Sequence, residues 1–134
     1  MNGRFMLDTN VLVSILRGRA TKALIDNLDE HRHELCVSTV TLMELETGVA
    51  LAEQQVSARL RTDAALARLE VLPYDDEAAR RTGQLRGKLI KAGNQIGPFD
   101  SQLAGHALAV AAVLVTNNVR EFSRVEGLTV QDWL

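Results

Sequence analysis

Apolar runs of two to four residues alternate along the chain with longer stretches in which apolar positions recur every three or four residues. The first run, Arg4-Phe5-Met6-Leu7, stops at Asp8-Thr9-Asn10, and Val11 to Leu16 then opens a helical pattern. That order predicts a buried strand delivering Asp8 to its carboxyl end, with a helix starting beside it. Thr21 to Leu28 predicts a second helix, closed by the polar run Asp29 to Glu34, and Leu35 to Ser38 a second strand. Thr39 to Leu51 reads as a helix with Val40, Met43, Thr47 and Ala50 on one side. Gln54 to Leu69 reads as a longer amphipathic helix carrying Val56, Leu60, Ala64 and Ala67 on its apolar face. Val71-Leu72-Pro73 is a brief third strand, halted by its proline. Asp75-Asp76-Glu77 then starts a helix at the end where the helix dipole favours acids, and Gly93-Asn94 ends it. A tight segment, Ile96 to Phe99, leads to Asp100 and to an Ala- and Leu-rich helix from Ser101 to Ala112. Val113-Leu114-Val115 is a fourth strand running into Thr116-Asn117-Asn118, and Thr129-Val130 a last one before Trp133. Strands alternating with helices in this way imply an α/β fold, with a parallel sheet of four to five strands and helices on both faces.

At 134 residues, with no internal repeat, linker or low-complexity tract, the chain is expected to form a single domain, 1–134, with a core of its own. No apolar run reaches the length of a membrane span, and the start of the chain lacks the regions of a signal peptide. A cytoplasmic protein with no membrane partner is therefore expected. The lone Cys36 cannot form an internal disulfide and reads as a buried strand thiol. The net charge of -2 hides a segregation. Residues 78–99 hold Arg80, Arg81, Arg86, Lys88 and Lys91 without an acid, and residues 9–25 hold Arg17, Arg19 and Lys22 without one. A basic surface for phosphates on an overall acidic protein is compatible with that pattern, as is a set of solvated helix faces.

Each polar residue at a strand end has an ordinary explanation. Asp8 or Thr9 would cap the following helix, Thr41-x-x-Glu44 fits a capping box, and His106 fits a packed core histidine. His31 and His33 sit in a charged turn without a third ligand nearby, which does not make a metal site. Separate caps do not explain convergence, however. In a doubly wound sheet, groups at the carboxyl ends of the strands gather at the reversal of strand order. Asp8, Glu44, Asp100 and Asn118 would all meet there. Carboxylates sharing a cleft repel one another unless a cation joins them, and hard oxygen ligands of this kind suit Mg²⁺ or Mn²⁺. Such an ion supports phosphodiester hydrolysis without a histidine or cysteine nucleophile.

The same residues carry a resemblance. Met6-Leu7-Asp8-Thr9-Asn10, Ser38-Thr39-Val40-Thr41 with Glu44-Leu45 and Gly48, Ile96-Gly97-Pro98-Phe99-Asp100 with Ala104-Gly105-His106-Ala107, and Leu114 to Phe122 followed by Gly127-Leu128 and Asp132-Trp133 resemble the PIN-domain ribonucleases. More narrowly they resemble the VapC-type toxins of bacterial toxin–antitoxin pairs. The motifs occur in family order along almost the whole chain. The resemblance implies a PIN-like three-layer sandwich, metal-dependent endoribonuclease activity on a structured RNA such as tRNA, a neutralising antitoxin, and a homodimer. It also implies that Asp8 and Asp100 bind the metal, that Glu44 completes the acid cluster, and that Thr116 holds the cluster by hydrogen bonds. Asn118 departs from the pattern, since many PIN domains have a fourth acid there, and Glu121 one turn on could restore that charge.

The expectation is thus a Mg²⁺-dependent toxin endoribonuclease, with Asp8, Glu44, Asp100, Thr116 and Asn118 at its catalytic centre and the segments around Arg17 and Arg86 holding the RNA backbone. A phosphotransfer receiver would need a lysine where Thr116 stands, and an aspartyl phosphohydrolase a second Asp where Asn10 stands. The remaining alternative is a catalytically inactive PIN-like module that binds RNA or a partner. Intact Asp8, Glu44 and Asp100 argue against it.

Overall fold

The computed structural model describes residues 3–134. Five strands form one sheet: β1 (Phe5–Leu7), β2 (Leu35–Ser38), β3 (Glu70–Leu72), β4 (Val113–Val115) and β5 (Val130–Gln131). Their order is β3-β2-β1-β4-β5, and every pairing is parallel. From β1 the chain moves outward through β2 to β3, then crosses back to lay β4 and β5 along the other side. The strand order therefore reverses between β1 and β4, which is where a parallel sheet opens a crevice at its carboxyl edge. Leu7 of β1 pairs with Val115 of β4, so Asp8 and Thr116 emerge side by side at that edge.

Alternation along each strand divides the core in two. Met6, Cys36 and Leu114 point to one face, where they pack with Leu85, Leu89, Ala104, Ala107 and Phe122 of α5 (Asp76–Lys91), α6 (Pro98–Ala109) and α7 (Val119–Phe122). Leu7, Val37 and Val115 point to the other face. There they meet Val11 and Leu12 of α1 (Thr9–Leu16), Leu24 of α2 (Lys22–Glu30), Leu45 of α3 (Thr39–Leu51), and Trp133. The architecture is the expected three-layer sandwich. Cys36 is buried, and burial pushes its thiol up to about 11, so it is inert packing as anticipated. His31 stacks with Phe5 and Trp133 and lies 3.3 Å from Glu34, which ties the chain's end to the start of β1.

Helix α6 crosses α5 at Gly105. A Cβ there would lie 2.7 Å from the backbone N and Cα of Thr82, so the two helices touch backbone to backbone. Gly93 (φ 68°) closes α5, with Gly93 N–H donating to the Ile90 carbonyl and Asn94 N–H to the Leu89 carbonyl, so the Gly93-Asn94 stop falls as read. Ala111 (φ 55°) closes α6 by the same double bond pattern. Among the described residues no helix is long and apolar enough to cross a membrane.

Two helix readings need correction. In α3 the buried side is Val40, Thr41, Leu45 and Val49, while Met43, Thr47 and Ala50 are exposed. Helix α4 (Gln55–Leu66) packs on α3 and α1, but Val56 (77% exposed) and Leu60 (66% exposed) of its anticipated apolar face lie in solvent, and its buried residue is Thr62. Periodicity had grouped those side chains correctly on one face. It had no means of telling that no other element among the described residues covers them.

Candidate active site

Asp8 occupies the residue before α1, in extended conformation, yet its side chain makes no capping hydrogen bond. Its Oδ2 instead accepts from the Thr116 hydroxyl at 2.7 Å across the β1–β4 boundary. Asp8 is 4% exposed, and burial raises its pKa above the ordinary value. The Thr116 hydroxyl and the nearby Thr9 and Asn10 N–H groups pull it part of the way back. Thr116 is fully buried and also accepts from the Asn118 N–H at 3.0 Å, so a single hydroxyl fixes both the carboxylate and the turn after β4.

Asp100 does not cap its helix either. Helix α6 begins three residues earlier than the sequence suggested, with Gly97 at the cap position and Pro98 in its first turn. Proline is favoured there because it has no N–H to leave unpaired. Asp100 is consequently held inside the first turn, half-buried. Its pKa is pushed up to about 6, first by burial, then by the charges of Asp8, Glu121 and Glu44. Asp100 therefore stands close enough to Asp8, Glu121 and Glu44 to feel the charge of each.

Glu44 is delivered by α3, but not through a capping box. Ser38 caps α3, accepting from Val40 N–H, which leaves Thr41 inside the helix and buried. Glu44 Oε1 accepts from the Thr9 hydroxyl at 2.7 Å, and the Thr9 and Thr41 hydroxyls lie 3.3 Å apart. Thr9 is the residue that sequence reasoning missed. Its hydroxyl read as a capping group, and only the sheet geometry shows that it faces α3. Beneath α3, His106 Nδ1 lies 2.8 Å from Ser38 Oγ, and the ring meets Tyr74 edge-on. Burial holds His106 below the usual imidazole pKa, and the neutral ring can accept the Ser38 proton while Ser38 accepts from Val40. The packed-histidine reading therefore holds, with the addition that His106 buttresses the cap of the helix carrying Glu44.

Asn118 donates from Nδ2 to Glu121 Oε2 at 2.7 Å, and Glu121 Oε1 accepts from Gly97 N–H at 3.3 Å. Glu121 is thereby locked against the loop before Asp100, and its charge is one of those that raise the Asp100 pKa. Glu121 thus brings a further carboxylate beside the loop that leads to Asp100, clamped by Asn118. Asp8, Glu44, Asp100, Thr116 and Asn118 all reach the one edge that the sequence pattern indicated.

Among the described residues no Lys, Arg or His forms an ion pair with any of the four carboxylates, whose charge is left uncompensated by the chain. Nor do any three acidic, histidine or cysteine side chains among them stand close enough to grip one ion together. The unpaired carboxylates are the observation that fits a hard cation of the Mg²⁺ type, which can bind through one or two of them and keep several waters.

The profile of the PIN domain family matches residues 5–128. The chain is 38% identical over 130 residues to the tRNA(fMet)-specific endonuclease VapC of Shigella flexneri, covering 97% of this chain and 98% of that one. Among solved structures, that of DNA-bound VapBC from Salmonella typhimurium superposes with a TM-score of 0.94 at 36% identity, covering 98% of this chain and 99% of that one. VapBC-1 from nontypeable Haemophilus influenzae gives a TM-score of 0.88 at 30% identity, over 96% and 97% of the two chains. Similarity of this extent, running through every element that builds the carboxylate edge, shows that the chain belongs to the PIN-domain family and is of the VapC type.

Proposed function

We propose that this protein is the toxin of a type II toxin–antitoxin pair, a Mg²⁺-dependent endoribonuclease that cuts phosphodiester bonds in a structured RNA. The names of its relatives point to tRNA as the substrate class. The observation that carries the reading is the uncompensated cluster of Asp8, Glu44, Asp100 and Glu121 at the strand-order reversal. Asp8 and Asp100 would hold the ion, and Mn²⁺ has the same preference for oxygen ligands. When bound, it supplies charge neutralisation at the phosphodiester and acidifies water.

The chain's own groups do the rest. Thr116 keeps Asp8 aimed into the crevice. Thr9 holds one oxygen of Glu44, leaving Oε2 to orient the attacking water and receive its proton. Asn118 and the Gly97 N–H hold Glu121 at the back of Asp100. Arg17 at the end of α1 and Arg86 on α5, both exposed, would contact the RNA backbone on either side. In this reading the protein acts in the cytoplasm as a homodimer and is silenced by its cognate antitoxin. The antitoxin complexes of its structural relatives support that partner.

The test is cleavage of an RNA pool by the wild type and by Asp8→Asn, each with Mg²⁺ and with chelator. Cutting is expected only from the wild type with Mg²⁺. Identical behaviour of the two proteins, with RNA bound and left intact, would favour the inactive binding module.

A further inference from the structure

The five cations of residues 78–99 do not form one surface. Residues seven apart in a helix lie nearly two full turns apart and so share a face, which puts Arg81 and Lys88 on the same side of α5. Arg80 is neutralised elsewhere by Asp76 at 3.0 Å and Glu77 at 3.8 Å. Arg86 borders a separate cavity of about 70 Å³ beside Ser101. Arg81 and Lys88 instead line a cavity of about 230 Å³, whose opposite wall carries Arg124 and whose floor includes Leu89 and Val125. One acid, Glu126, reaches the rim, 3.5 Å from Lys88. Both partners of that pair are largely in solvent, where such a bond is weak. Arg81 is half-buried and meets no carboxylate among the described residues.

We infer that this cavity is a backbone-phosphate subsite for the RNA strand leaving the carboxylate crevice. The inference rests on the ribonuclease reading and extends it to a place beyond the reacting bond. Two guanidiniums and an ammonium, supplied by two separate segments over an apolar floor, suit a phosphate and the ribose beside it. The loop of residues 93–97, whose Asn94 lines the cavity, links it to the carboxylate cluster. Arg124 donates to the Gln95 carbonyl at 3.1 Å, and the Gly97 N–H of the same loop donates to Glu121. A strand that places one phosphate at Asp100 and crosses the 93–97 loop enters the cavity next. An acidic segment of a protein partner would find the same charges, but nothing would then relate the cavity to the crevice.

The test uses Arg81→Ala combined with Lys88→Ala, which leaves Arg124 and its hold on the loop untouched. Binding of a long and a very short single-stranded oligoribonucleotide is measured against salt in the cleavage-silent Asp8→Asn background. Loss of two phosphate contacts should make the log K against log salt slope of the long strand shallower by about 1.4, at roughly 0.7 per contact for single strands. The short strand, spanning only the crevice, should bind alike in both. With Asp8 restored, the short strand should be cut at an unchanged rate. An unchanged slope for the long strand would overturn the inference, as would a loss confined to binding of the cognate antitoxin. Should the wild type cut no RNA while the slope still drops, the ribonuclease reading fails and the cavity stands as a nucleic-acid phosphate site.

Discussion

Replacing Asp100 with Ala tests whether the carboxylate edge is a metal site or a set of structural groups. In the folded protein the Asp100 pKa is pushed up to about 6 from its ordinary 3.8, so between those values the folded chain holds a proton that the unfolded chain has released. Stability must then fall as pH rises through that window and stay lower above it. Taken whole, the difference corresponds to about 3 kcal/mol. Asp100 is only half-buried, so solvent screening reduces the expected figure to about 1 kcal/mol. Its favourable position in the first turn of α6, worth about 0.3–1 kcal/mol, offsets part of even that. In chelator and above neutrality, Asp100→Ala should therefore melt at the same temperature as the wild type or a few degrees higher, since about 1 kcal/mol moves Tm by roughly 3–5 °C in a domain of this size. Towards pH 4 the variant's advantage should disappear. Asp8, whose pKa is raised as well, will leave a residual slope in both proteins. Mg²⁺ at a hundred times its Kd should add about 2.7 kcal/mol to the wild type by mass action and leave the variant nearly unmoved. Thermal melts followed by circular dichroism across this range, with chelator and with Mg²⁺, measure all of it. A variant less stable than wild type in chelator at neutral pH, with no Mg²⁺ response in either protein, would refute the reasoning and return Asp100 to a structural role.

Thr9→Val keeps the shape of the side chain but frees Glu44 from its 2.7 Å bond. Cleavage should drop about tenfold, equivalent to 1.4 kcal/mol, and Thr9→Ser should recover most of it; equal rates for Val and Ser would remove Thr9 from the site. Gly105→Ala places a methyl against the Thr82 backbone, which cannot yield as a flexible side chain would. The cost should reach the upper part of the overpacking range, about 3 kcal/mol, despite the roughly 1 kcal/mol that Ala gains over Gly in a helix. An unshifted urea midpoint would show that α5 and α6 separate freely at this crossing.

The strands were legible because each is a short apolar run next to a helical pattern, and in a parallel sheet that combination has few other meanings. Asp8 was legible for the same reason, since its place follows from the end of β1. The start of α6 was not, because Ile96-Gly97-Pro98 looks like a break in the chain, and whether a proline closes a loop or opens a helix depends on where the next turn packs. Glu44 was found for its charge and misassigned in its bonding. Thr41 lies three residues before it, as a capping residue should, while the cap is Ser38, buttressed by a histidine 68 positions away. The single basic surface suggested between Ala78 and Phe99 dissolved once α5 distributed its cations around the helix axis. In each of these cases the missing information is a contact between distant parts of the chain, which local pattern does not encode.

The 2.7 Å bond from Thr116 to Asp8 spans 108 positions, and β1, the first strand made, lies in the middle of the sheet. During synthesis the chain emerges at about 5–20 residues per second, and the flank of β1 that belongs to β4 stays open until residues 113–115 have appeared. Glu44 can already sit near Asp8 in a half-made chain, but Asp100, Thr116 and Glu121 cannot join them. The chemistry thus depends on a contact between distant parts of the chain. A chain that stops before residue 113 lacks β4 and Thr116, and so holds no assembled carboxylate edge.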